Sequence, residues 1–209
     1  MIMTILPLIL FGAGGHGKVV ADAAAIGGFH VLGFIDDTRT GEHGGYPILG
    51  NQNALEKSKK EGAHCIVSIG DCAGRAKTQE MLEKMGFKMA TVIHPSAVIA
   101  KSARIGSGSA ILAQTVVGPD AVLGKGCIVN TCASVDHDCA VGDYAHVSPG
   151  AHVAGGVQIG TQTFVGIGSS VREYCSIGSR VIVGAGAAVV TDFGDNVTVL
   201  GVPAVVKGR

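Results

Sequence analysis

A parallel β-helix preceded by a small α/β unit is the fold this sequence predicts, on two regularities and one motif. From Ile93 to Val189 every sixth residue is aliphatic, without a slip. Four residues after each of the first sixteen of these positions, from Ala97 to Ala187, lies a small or slim side chain. Ahead of the repeat, a short apolar run breaks into Gly12-Ala13-Gly14-Gly15-His16-Gly17. A period of six fits neither the 3.6 of a helix nor the alternation of a hairpin sheet, and hexapeptide repeats mark the parallel β-helix.

Composition agrees with this architecture and narrows the function. The 209 residues leave room for two domains, and the repeat divides them at 1–91 and 92–209. Formal net charge is zero with 15% charged residues and no basic run, so nothing electrostatic points to nucleic acid or an anionic membrane. Cys127, Cys139 and Cys175 stand in the small-residue register as packing residues, and Cys65, Cys72 and Cys132 form no metal-ligand pair. Reduced thiols of this kind suit the cytoplasm. The apolar opening, Met1 to Phe11, lacks a basic start and a cleavage site and reads as a buried first strand. No apolar stretch reaches the roughly 18 residues of a membrane span.

In the first unit, Leu8 to Phe11 reads as a strand, Lys18 to Ile26 as a helix and Val31 to Ile35 as a second strand. Leu55 to Glu61 reads as helix, Cys65 to Ile69 as a third buried strand, and Cys72 to Met85 as a helix capped by Asp71. Strand, glycine turn, helix and strand make a Rossmann-like half-domain. Its turn satisfies G-x-G-x-x-G, and Asp36-Asp37 follows about 20 residues later, where a ribose hydroxyl would be held. The glycine backbone and helix amides suit a diphosphate. Hydride transfer is not expected, because the residues ahead of the repeat make only half of a full dinucleotide fold.

Three hexads make one coil, so residues 18 apart stack on neighbouring rungs roughly 4.8 Å apart. His137 then lies beneath Gly155, and His146 falls half a coil from His137 on another side of the prism. Two such histidines converge only if a neighbouring prism packs against the first, as in a symmetric trimer. The hexad Val135-Asp136-His137-Asp138-Cys139 replaces the usual small turn with acid, histidine, acid. A carboxylate beside an imidazole fixes its tautomer and stabilises the imidazolium, which is a general-base arrangement. His94 reads as structural. A zinc centre is not expected, since His146 and His152 are not spaced as the zinc histidines of the γ-class carbonic anhydrases, which share this repeat.

With these motifs in hand, the chain resembles the hexapeptide-repeat acetyltransferases of the sialic acid O-acetyltransferase and bacillosamine N-acetyltransferase type. The points of likeness are the glycine turn, Asp36-Asp37, Ile69-Gly70-Asp71 with Arg75, Ile93-His94-Pro95-Ser96-Ala97, Asn130-Thr131, Asp136-His137-Asp138, His146-Val147-Ser148 and Gly201-Val202-Pro203-Ala204. The resemblance implies a left-handed β-helix, a homotrimer, and acetyl-CoA as co-substrate with no permanently bound cofactor or metal. It also implies a nucleotide-linked amino sugar at Gly14, Gly15, His16, Asp36, Asp37 and Gly70. His137 would be the general base, Asp138 its orienting carboxylate, and His146 and Gly155 contacts to the acetyl thioester. Close relatives carry Glu after the histidine, so either Asp136 or Asp138 is the partner here. The expected activity is direct acetyl transfer from acetyl-CoA to a 4-amino sugar linked to UDP, GDP or dTDP. The alternatives are O-acetylation of sialic acid or a polysaccharide sugar, and a non-catalytic nucleotide-binding sensor or scaffold.

Overall fold

The computed structural model describes residues 6–55 and 62–208. Residues 1–5 of the opening run, and residues 56–61 of the segment expected to be helical from Leu55 to Glu61, lie outside them. The first unit is a five-stranded sheet of β1 (Pro7–Phe11), β2 (His30–Ile35), β3 (Glu42–His43), β4 (Tyr46–Gly50) and β5 (His64–Val67), in the order β3-β4-β2-β1-β5. β1 runs parallel to both β2 and β5, and the register aligns Phe11 with Ile35 and with Val67. Gly12, Asp36 and Ser68 therefore leave the sheet side by side at its carboxyl edge, where open α/β sheets bind ligands. β3 and β4, joined by Gly44-Gly45, form an antiparallel hairpin absent from the sequence expectation.

Among the described residues two α-helices cover the sheet. α1 (Gly15–Ile26) begins inside the glycine turn, three residues before Lys18, so the turn itself forms its N-terminus. α2 (Cys72–Lys84) is capped as expected, with Asp71 Oδ2 accepting the Gly74 amide at 2.6 Å. Alternation along β1 sends Leu8 and Leu10 to the α1 side, and Ile9 and Phe11 to a second cluster with Leu82 of α2.

The second unit is a left-handed parallel β-helix. From Val92–Ile93 to Ala188–Val189 the chain makes seventeen two-residue strands, which stack into three sheets. Partners are 18 residues apart, as in Val117 with Val135 and Val135 with Val153. The aliphatic register fills the interior. At the lower end Ile93 is 38% exposed and Ile99 and Ile105 are half-buried, because no rung lies below them. The last coil is short by two residues, pairing Ile182 with Thr198, and an antiparallel strand at Val205–Val206 closes the top.

The first face of the prism presents Val92, Ala110 and Ile128 outward, yet all three are buried, because they join Leu8, Leu10 and Ile66 in one apolar cluster. The α/β unit thus sits on the lower rungs of that face, and Phe164 and Ile182 emerge above it. Within the prism, Val147→Ala would leave a void between fixed rungs and should lower the unfolding free energy by about 2 kcal/mol in chemical denaturation.

Candidate functional site

The carboxyl edge of the sheet opens on a cavity of about 420 Å³ lined by Gly14, Gly15, His16, Asp36, Asp37, Ser68 and Gly70. Open space lies where Gly14 and Gly15 would carry a Cβ, and no side chain caps α1, so its first amides face the cavity unobstructed. Gly17 serves packing instead: a Cβ there would lie 2.5 Å from the Gly12 carbonyl oxygen.

The acidic pair divides its work. Asp36 accepts the Ala13 amide at 2.8 Å, the Thr38 amide at 2.9 Å, the Thr38 hydroxyl at 2.8 Å and the Arg39 amide at 3.0 Å. Burial pushes its carboxyl up, but the Thr38 and Ala13 amides, with the Thr38 hydroxyl and Arg39 amide, outweigh that and hold it below the usual carboxylate value. Asp36 therefore braces the glycine turn, while Asp37 is exposed at the rim. Two braces had no sequence signal. Ser68 Oγ donates to the Gly12 carbonyl at 2.7 Å, and His43 Nε2 lies 2.9 Å from the Gly14 carbonyl.

A second cavity, about 600 Å³, lies beside the first and shares Gly70 with it. Asp71, Cys72 and Ala73 form one wall, His146, Phe164 and Ile182 the opposite one, with Gln162 and Arg180 at a corner of the prism. His146 projects outward from its rung, but the α/β unit covers it to 6% exposure. Its Nδ1 lies 3.2 Å from the Gly70 carbonyl, and its Nε2 lies 3.1 Å from Asn130 Nδ2. The His16 ring centroid is 6.0 Å away. Burial, then the charge of Arg75, lowers the His146 pKa to about 3 and that of His16 to about 4. His16 Nε2 is buried without a hydrogen-bond partner.

Arg75 crosses between the units with no exposed surface. It donates to the carbonyls of Gly126 (2.7 Å), Ile69 (3.0 Å), Gly70 (2.9 Å) and Tyr144 (2.6 Å).

His137 stands apart from all of this, at the corner opposite the covered face. Its side chain is 49% exposed, and Nδ1 lies 2.8 Å from Asp138 Oδ2. Asp136 accepts the His137 backbone amide at 2.7 Å, so Asp138 is the carboxylate on the ring and Asp136 shapes the turn. The Asp138 hydrogen bond, opposed by slight desolvation, raises the His137 pKa. A Cβ on Gly155 would overlap the His137 ring, so the bare backbone expected above the histidine is required. One chain therefore gathers Gly14, Gly15, His16, Asp36, Asp37, Gly70 and His146 on one side, with His137, Asp138 and Gly155 on the other. His152 and His94 bond locally, to Ser134 and Ser96. Among the described residues no group of His, Cys, Asp and Glu could hold a metal ion, and no helix is long and apolar enough to cross a membrane.

Residues 7–82 match the family described as the PglD N-terminal domain. The UDP-N-acetylbacillosamine N-acetyltransferase of Bacillus subtilis is 36% identical over 108 residues, which are 50% of this chain and 50% of that protein. The matched stretches span half or less of the curated relatives' lengths. Several solved structures match nearly end to end. The acetyltransferase domain of PglB from Neisseria gonorrhoeae, in complex with acetyl coenzyme A, is 41% identical with a TM-score of 0.93, covering 97% of this chain and 100% of that one. PerB from Caulobacter crescentus, in complex with CoA and GDP-perosamine, is 38% identical with a TM-score of 0.94, covering 98% and 99%.

The buried histidines set an acid limit on stability. An unfolded chain protonates them near 6.5, whereas the folded chain resists down to about 4 for His16 and about 3 for His146. The unfolded state therefore binds more protons between those values, and stability is lost as pH falls below about 6.5. Denaturation midpoints should decline from pH ~7 to ~4.5, and less steeply in His146→Gln, which has no imidazole to protonate.

Proposed function

The chain belongs to the sugar N-acetyltransferases that carry a PglD N-terminal domain, and from that premise we propose direct acetyl transfer from acetyl-CoA to the amino group of a nucleotide-linked 4-amino sugar. The observation that carries the reading is the exposed His137 with Asp138 on its Nδ1. That hydrogen bond puts the proton on Nδ1 and leaves Nε2 as a free base. The complexes of PglB with acetyl coenzyme A and of PerB with CoA and GDP-perosamine support both substrates.

In this reading residues 1–91 hold the nucleotide, with its diphosphate on the Gly14-Gly15 turn and its ribose toward Asp37. The sugar extends past Gly70 into the second cavity. The neutral amine attacks the acetyl carbonyl while His137 Nε2 takes its proton; the C–N bond forms, the C–S bond breaks, and the imidazolium returns the proton to the CoA sulfur. Gly155, beside the His137 ring, lets the thioester approach the rung backbone, while His146 shapes the sugar cavity. Holding both reactants in line contributes as much as the base.

His137 and the cavity lie on opposite sides of one prism, so the complete site takes His137 from a neighbouring chain, in a homotrimer. The six unpaired cysteines fit a reducing cytoplasm.

Thiol release from acetyl-CoA tests the acceptor with UDP-, GDP- and dTDP-linked 4-amino sugars and with free sialic acid. Release with a nucleotide-linked amino sugar is expected; release with sialic acid alone would overturn the reading. His137→Ala should lower turnover by about 100-fold or more with little change in acetyl-CoA affinity. Its raised pKa means that base is lost as pH falls through a value above 6.5, so Asp138→Asn should move the acid limb of kcat/KM downward. Mixed assembly of His137→Ala with Gly15→Trp chains should regain activity that neither has alone, a gain that a site within one chain cannot give.

A further inference from the structure

Arg75 is a buried cation that the reaction above does not use. Among the described residues no carboxylate pairs with it; carbonyl oxygens compensate its charge. Those oxygens come from three places. Ile69 and Gly70 belong to the segment between the two cavities, and Gly126 and Tyr144 belong to successive rungs of the prism. A planar guanidinium with five donors spans such a set; an ammonium of the same charge does not.

The Gly70 carbonyl has a second partner. It accepts Arg75 Nη1 at 2.9 Å and faces His146 Nδ1 at 3.2 Å. A carbonyl has no proton to give, so Nδ1 carries the hydrogen and Nε2 must accept. Asn130 Nδ2 meets Nε2 at 3.1 Å, and the orientation of that amide is fixed because Asn130 Oδ1 accepts the Thr131 amide at 2.9 Å. Both nitrogens of His146 are thus committed within the chain. The groups packed around the ring are His16 from α1, Arg75 from α2, and Asn130 and Phe164 from the neighbouring rungs. None of them is a carboxylate.

We propose that Arg75 is a positioning residue for acetyl transfer: by anchoring the Gly70 carbonyl to the prism it fixes the seam between nucleotide and sugar cavities and holds His146 in its Nδ1–H tautomer. His146 then presents a ring of fixed orientation to the second cavity. This rests on the second cavity being the sugar site.

Long-range ¹H–¹⁵N correlation spectra of the full chain, with His146 assigned by the peaks missing in His146→Gln, read the tautomer directly. The wild type should show Nδ1–H near neutral pH. In Arg75→Lys the two tautomers should mix, and KM for the nucleotide sugar should rise by about tenfold while KM for acetyl-CoA changes by less than about twofold. Asn130→Asp, which replaces the donor at Nε2 by a carboxylate while the Gly70 carbonyl still faces Nδ1, should favour the imidazolium, protonated at both nitrogens. An Nε2–H tautomer in the wild type would overturn the proposal without recourse to any variant. So would wild-type tautomer and KM in a folded Arg75→Lys. Absence of acetyl transfer by the wild type would defeat the functional reading, while the tautomer measurement would still stand or fall by itself.

Discussion

Everything in this molecule depends on the pairing of each rung with the next. Backbone amides in the prism donate to the rung above, as Asp136 does to Val153 and Ala154 to Val171. The corners pair in the opposite sense: the Asp138 amide reaches down to the Pro119 carbonyl, and the Gly156 amide down to the carbonyl of His137. Because the main chain is satisfied in this way, the packing of the core does not depend on which side chain stands at a corner. Chemistry can be written there without cost to the core, and the acid-histidine-acid triplet is written there.

The same constraint explains what the sequence made legible. The interior register, the stacking of Gly155 on His137 and the opposition of His137 to His146 all follow from counting, since the rungs allow no slip until the last coil. The shortened coil between Ile182 and Thr198 escaped, because the period ends where it begins. The hairpin of β3 and β4 escaped because two short strands leave no period to count; its one local mark was the Gly44-Gly45 turn.

The contacts between the units were illegible for a different reason. Asp36 looked like a ligand residue by its spacing, yet three amides and a hydroxyl from two loops consume its oxygens. His146 is an outward rung residue by its place beside Val147, but the outward direction there leads under another unit. Arg75 stood out in the sequence only as part of a resemblance; its partners are carbonyls, which every residue has and no sequence reveals. The two candidate histidines consequently differ in kind, one exposed and made more basic by a carboxylate, the other buried and kept neutral.

A parallel β-helix has two raw ends, each a triangle of unpaired amides or carbonyls that another copy could extend into a fibre. Here the top is turned aside by the antiparallel strand at Val205–Val206. The bottom has strands only two residues long, with Arg104 and Lys101 exposed at its edge and the α/β unit pressed against the outer side of Val92. The α/β unit is thus also part of the stopper. A chain stripped of it would bare the apolar strip of Val92, Ala110 and Ile128 along the same edge, and would carry a surface suited to polymerisation.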